Sequence, residues 1–336
     1  LVSSFNYRAF ANWEPIFWRL RDRGHAIHTA WFPRVSDPDH VGLFDIDFPN
    51  ALTCRIGGDY RPCDRSEDAV LSDLADWVDA SRPELVFTCT FHGGPEGRIR
   101  ERLSRLPDRP LVVGLQHGMK HDWPVFERQA DRFDVFGAFG PHFLEECSDR
   151  FKHKMVVMGL PKLDAINRRP SEGPLRRILF AGQNEPSAKE LARLLGALSA
   201  KLGAEIVVRP HPEHRDAFRP LIALFPAEPP SVPLVDALEG ADAMITTGSS
   251  VALEGLAAGL RVAVLPRQHG EVYRPAGIVA PSMKAKDVIA VFERYEDPAF
   301  RAGIARFLEA ATGAADGGRT EIALAAIDNL IARRAA

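Results

Sequence analysis

The stretch AMITTGSSVALEGLAAGLRVAVLP, residues 243–266, constrains the fold more than any other part of the chain. A short apolar run, 243–246, ends in Thr247, Gly248, Ser249 and Ser250. A helical pattern follows over 250–258, Gly259 stops it, and a second apolar run fills 261–265. Strand, tight turn, helix, glycine, strand is the rhythm of a βαβ unit, which lays both strands parallel in one sheet. The same rhythm gives a strand at 177–181, an amphipathic helix at 188–202 closed by Gly203, and a strand at 204–209. In the first half, strands are expected at 1–3, 25–32, 85–90, 111–115, 135–139 and 155–158. Helices are expected at 13–23 and 67–80, and a last helix at 320–333 closes the chain.

Residues 167–174, NRRPSEGP, are polar and rich in turn formers, which marks a linker. Two βα sets joined there predict an α/β chain of two Rossmann-like domains, 1–166 and 167–336, whose parallel sheets face each other across a cleft. A length of 336 residues suits two domains, and 46% hydrophobic with 26% charged residues is enough to build their cores. The net charge of -3 excludes whole-molecule attraction to nucleic acid or anionic lipid, so any anion site is local. Four scattered cysteines without a CxxC pair read as reduced thiols of a cytoplasmic protein rather than a zinc site or disulfide frame. No run reaches the roughly 18 apolar residues of a membrane span. The chain opens on LVSS, which reads as the end of a first strand without a signal peptide's basic region. Its true start is expected a residue or more upstream.

At residues 247–250 a strand hands over to a helix. Free backbone N–H groups, hydroxyls and the positive helix end together suit a phosphate. Gly248 lets the backbone approach an anion closely. Plain serine capping of a short helix is the alternative. Glu254, in the first turn of that helix, is placed to accept hydrogen bonds from a ribose diol, or else is a solvated helix acid. In IVVRPHPEHR, residues 206–215, an apolar strand delivers Arg209, His211 and His214 to the carboxyl edge of the sheet, and Pro210 and Pro212 stiffen the backbone around His211. A capping or core histidine is the other reading of His211. Gln183 and Asn184, in the loop after the first strand of this half, are weaker candidates for the same ligand.

In the first half, the strand at 111–115 runs into QHGMKHDW. Edge logic puts His117 at a site mouth, where an imidazole is the side chain best suited to removing a hydroxyl proton near neutral pH. Gly118 leaves room for a substrate. His117 and His121 lack the Glu of a zinc-binding HExxH helix, so no metal is expected. His92, Gly93, Gly94 and Arg98 line a second pocket or form a flexible turn. Asp45 and Asp47 form a D-x-D that reads as chance placement.

LQHG (115–118), GLPKLD (159–164), RPHP (209–212), TGSSVALEGLAAGLRVAVL (247–265) and DGGRTEIA (316–323) occur in the order and spacing of a known group. The chain resembles the GT-B glycosyltransferases, in particular the CDP-glycerol glycerophosphotransferase and capsule polysaccharide transferase group, over residues 85–330. The resemblance implies a metal-independent, cofactor-free transferase that moves a group from a nucleotide-activated donor to a hydroxyl of a cell-surface glycan or lipid-linked acceptor. It implies a cytoplasmic location at the inner membrane face with peripheral membrane association. By the same resemblance His117 is the general base, and His211, Ser249 and Ser250 bind donor phosphate; the reading of the residues themselves adds Arg209, Gly248, Glu254 and Gln183 to the donor site. Lys162 stands where the group often has Arg, and Thr247-Gly248 replaces its acidic D-Y. UDP-N-acetylglucosamine 2-epimerases share the fold and a ribose-binding Glu at the position of Glu254. Their pattern has a Glu where this chain has Gln116–His117, which argues against epimerisation. A non-catalytic nucleotide-binding subunit is the remaining alternative.

Overall fold

The computed structural model describes residues 2–4, 11–27, 29–31, 51–52, 76, 78, 80–88, 101, 103–119, 133–182, 186–211, 216–229 and 232–335. The chain divides into two compact units. Unit 1 is Leu1–Asp164 with Ala310–Ala336, and unit 2 is Ala165–Glu309.

Unit 1 holds the strands β1 (Val2–Ser4), β2 (Thr29–Trp31), β3 (Ala51–Leu52), β4 (Leu85–Thr88), β5 (Leu111–Leu115), β6 (Val135–Ala138) and β7 (Met155–Val157). They form one sheet in the order β3-β2-β1-β4-β5-β6-β7, with every neighbouring pair parallel. β4 and β5 are buried almost throughout. Continuous apolar runs such as LVFT are what a parallel sheet covered on both faces requires. Phe133, Phe136 and Phe151 pack in succession with ring centroids 6.2 and 5.9 Å apart. Gly114 makes room for them, since a Cβ there would lie 2.6 Å from the Phe133 ring.

The last helix, Arg319–Ala335, packs on the helix Glu14–Asp22 and on β7 in unit 1. The sequence division at 166/167 places this helix in the second domain; the fold returns it to the first. A buried lock explains the return. Asp164 accepts from the backbone N–H groups of Arg319 (3.3 Å) and Thr320 (2.7 Å), so it caps a helix far along the chain. Arg319 is 1% exposed. Its guanidinium reaches Asp164 Oδ1, Thr312 Oγ1 and the carbonyl of Ala314. Gly159 (φ 73°) and Gly313 (φ 87°) meet beside it, and a Cβ on Gly313 would lie 3.0 Å from the Gly159 Cα. GLPKLD and DGGRTEIA are therefore two halves of one structural contact.

Unit 2 holds β8 (Arg177–Gly182), β9 (Glu205–Pro210), β10 (Ala243–Thr246) and β11 (Arg261–Val264) in the order β11-β10-β8-β9, again all parallel. The helix Ala188–Leu202 starts at a capping box between Ser187 and Glu190 and ends at Gly203 (φ 64°). Such a cap is worth about 1 kcal/mol. Leu191, Leu194, Leu195 and Leu198 form its buried stripe. Gly255 lets the helix Val251–Ala257 close onto β10, because a Cβ would lie 2.3 Å from Met244 Cε. The polar stretch at 167–174 is docked on this helix's end rather than free: the Arg169 and Ser171 N–H groups donate to the carbonyls of Ala258 and Gly259. The sequence pattern does not single out the helices Ala285–Glu293 and Pro298–Thr312, which complete the unit. Among the described residues no helix is long and apolar enough to cross a membrane.

Candidate functional site

The winding of the unit 2 sheet reverses between β8 and β10, with β9 on one side and β10 and β11 on the other. Such a switch point leaves a crevice at the carboxyl ends of the strands, where open parallel sheets bind ligands. Thr246 on β10 pairs with Ala181 on β8, which pairs with Arg209 on β9. Three adjacent strands thus deliver one transverse row to that edge.

The turn that follows β10 is held from beneath. Gly248 has φ 105°, a conformation an L side chain rarely adopts. Ser250 makes no side-chain cap bond to the helix Val251–Ala257, and Ser249 Oγ accepts from Val251 N at a long 3.4 Å. Serine capping alone therefore does not account for this SS pair. Tyr273, wholly buried, donates its hydroxyl to the carbonyl of Ser249 at 2.7 Å. Burial, and then the negative charge of Glu254, push this phenol well above its ordinary pKa, so it remains a neutral donor. Glu254 is 8% exposed, which sets aside its reading as a solvated helix acid.

Arg209 donates from Nη2 to the Val232 carbonyl at 2.9 Å. Burial draws its guanidinium pKa down, and the negative charges of Glu228 and Glu254 oppose that shift. Its Nη1 is buried and has no hydrogen-bond partner among the described residues. The Oγ1 atoms of Thr246 and Thr247 are in the same condition, in residues 0% and 2% exposed. Buried polar groups are nearly always hydrogen-bonded, so three such atoms on neighbouring elements single out this edge. The half-buried His211 sits at the same edge, its N–H donating to the Gly182 carbonyl at 2.9 Å. Gly182 is obligatory there, since a Cβ would meet the rings of Phe180 and Phe218 at 2.7 Å. Gln183, Asn184 and His214 lie outside the described residues.

In unit 1, the half-buried His117 follows β5, and a Cβ on Gly118 would meet open space. Gln116 beside it is fully buried: its Oε1 accepts from Phe139 N at 2.8 Å and its Nε2 donates to the Gly118 carbonyl at 2.9 Å. Asp45, Asp47, His92, Gly93, Gly94, Arg98 and His121 lie outside the described residues. Among the described residues, no group of three His, Cys, Asp or Glu side chains is arranged to hold a metal ion.

The structure thus gathers Arg209, His211, Gly248, Ser249, Ser250 and Glu254 at one edge of unit 2, and places His117 at the carboxyl edge of unit 1. Sequence reasoning missed Tyr273 and Thr246, while Thr247 belongs to the turn it singled out. The threonines stand in the run already singled out, but no local signal ties Tyr273 to Ser249.

No protein-family model and no curated protein matches the sequence. Solved structures do match. A Listeria monocytogenes protein assigned as a UDP-N-acetylglucosamine 2-epimerase superposes with a TM-score of 0.64 at 15% identity, over 99% of this chain and 96% of that one. S. aureus MnaA with UDP gives 0.63 at 12% identity, over 98% and 95%. The spinosyn rhamnosyltransferase SpnG with thymidine diphosphate gives 0.59 at 17% identity, over 98% and 99%. The fold is GT-B. The likeness spans almost the whole chain in each case.

Proposed function

We propose that this GT-B chain is a metal-independent transferase that takes a nucleotide-activated donor in unit 2 and uses His117 as its general base. The observation that carries the reading is the row of buried, partly unsatisfied polar groups at the unit 2 switch point. Arg209, His211 and the Gly248–Ser250 turn suit a diphosphate, and Glu254 suits a ribose diol. The nucleoside diphosphates bound by MnaA and SpnG, UDP and thymidine diphosphate, support that ligand class.

In this reaction His117 removes the proton of an acceptor hydroxyl, and the oxygen attacks the anomeric carbon of a sugar donor. The bond between that carbon and the nucleotide phosphate breaks, and the Ser249–Ser250 turn with Arg209 and His211 holds the charge that grows on the leaving group. With a CDP-polyol donor the attack falls on the polyol's phosphorus instead, the diphosphate P–O bond breaks and CMP leaves. Removing one such preorganised donor typically costs about 100- to 1000-fold in turnover. The acceptor is a cell-surface glycan or a lipid-linked glycan, handled at the cytoplasmic face of the membrane.

A calorimetric panel of CMP, CDP, UDP, GDP, ADP and thymidine diphosphate tests the donor site and identifies the base. His117→Ala should abolish transfer and leave nucleotide affinity nearly unchanged; losing both together, or losing neither, removes His117 from the role of base. The epimerase reading is favoured by the slightly higher TM-scores of its two representatives. Against it stands Gln116, an amide with both ends bound to the backbone and no carboxylate for proton transfer at carbon. Incubation with UDP-N-acetylglucosamine alone separates the two, yielding the 2-epimer in one case and none in the other.

A further inference from the structure

The backbone around His117 is fixed by two side chains that lie more than 100 residues earlier in the chain. Asn12 Nδ2 donates to the His117 carbonyl at 3.2 Å, and Trp13 Nε1 donates to the Gln116 carbonyl at 2.8 Å. These two oxygens belong to the two rigid peptide planes that meet at the His117 Cα. Pinning both planes fixes φ and ψ at that residue, and with them the direction of its Cβ.

Both donors are themselves immobile. Asn12 is 3% and Trp13 0% exposed, in the turn that opens the helix Glu14–Asp22. The Trp13 ring lies 5.5 Å from the Phe139 ring. The Asn12 carbonyl accepts from Lys162 N at 3.2 Å. Lys162 belongs to the 3-10 turn Pro161–Ala165, which also carries Asp164, the cap of the last helix. The connection therefore runs from the Asp164–Arg319 lock through Lys162 and Asn12 to the His117 carbonyl.

We propose that Asn12 and Trp13 are positioning residues that aim the His117 imidazole. The inference rests on the reading of His117 as the base, but its test needs no turnover. Asn12→Asp keeps the size and replaces the amide donor with an acceptor facing the carbonyl. Trp13→Phe removes the indole N–H and keeps most of the ring packing, so it serves if the first variant folds poorly. Carbethoxylation of each histidine by diethyl pyrocarbonate is followed by mass spectrometry, with hydrogen exchange at residues 116–118 and the melting temperature measured alongside.

Either variant should change the labelling rate of His117 by about fivefold, the consequence of one lost net hydrogen bond. Amide exchange at 116–118 should quicken, while His142, on the same unit, labels as in the parent protein. An unchanged His117 rate, or a change shared equally by His142, overturns the proposal. If His117 labelling shifts as expected but His117→Ala retains transfer, the clamp stands and the base assignment falls. Where transfer is measured, Asn12→Asp should lower kcat with the KM for the donor unchanged, and a change confined to KM would also overturn the positioning role.

Discussion

The two edges that carry the candidate chemistry treat their polar groups in opposite ways. In the loop after β5, the Gln116 and His117 carbonyls, the Gly118 carbonyl and the Phe139 N–H are all taken up by side chains of unit 1. At the end of β10, the hydroxyls of Thr246 and Thr247 and the Nη1 of Arg209 are buried without a partner among the described residues. At the unit 1 edge these backbone groups are satisfied by the protein's own side chains. At the unit 2 edge these three atoms find no partner among the described residues, which is what the proposed donor site would need. The contrast suits a base that must be aimed and a donor that must be gripped.

The largest effect that would break this contrast is a loss of stability on the unit 1 side alone. Gln116→Leu fills the same buried space but leaves the Phe139 N–H and the Gly118 carbonyl without their partners. Each buried group so abandoned costs about 1–3 kcal/mol, so roughly 2–6 kcal/mol of folding stability should disappear. Urea denaturation monitored by fluorescence measures it. A variant as stable as the parent would show that the loop after β5 is not closed by this side chain.

How far each edge could be read in advance follows the same division. β5 and β10 have the bounds expected of them, and the helix Ala188–Leu202 does too, because buried parallel strands and amphipathic helices write their periods locally and Gly203 marks the stop. Gly248 and Glu254 were legible as a strand-to-helix turn and an acid one turn on. The burial of Glu254 was not, and the groups it interacts with electrostatically, Arg209 and Tyr273, come from other elements. Distant partners are the common cause of what was missed. Asp164 caps a helix 155 residues away, and Arg319, a charged residue in a glycine-rich turn, gives no local sign that it is buried. Asn12 and Trp13 lie more than 100 residues from the carbonyls they hold, with |i−j| of 105 and 103. Tyr273 is likewise remote from the Ser249 turn it supports.

Tyr273 sharpens the comparison, because its side chain clamps the unit 2 turn from a distant element. Tyr273→Phe removes the bond to the Ser249 carbonyl and leaves the ring in place. About 1 kcal/mol of stability should be lost, and the affinity for UDP should fall about fivefold as the turn loosens. Calorimetry and urea denaturation report the two changes separately. Stability lost without any change in affinity would mean the turn does not touch the nucleotide.

The smallest stability effect is the most discriminating one. Thr246→Val keeps the shape of a wholly buried side chain and removes a hydroxyl that has no partner among the described residues. If that hydroxyl serves only the fold, removing it should destabilise the protein as the loss of any buried hydrogen bond would. If it waits for a ligand, the free protein should be as stable as before or slightly more so, since an unsatisfied polar group has been replaced by an apolar one. Affinity for UDP should then fall by about fivefold to tenfold, the value of one hydrogen bond made only in the complex. Stability and binding move in different directions here, whereas in Gln116→Leu stability alone is expected to fall. A Thr246→Val protein that is both less stable and equally tight for nucleotide would place this hydroxyl with the architecture and make the two edges alike.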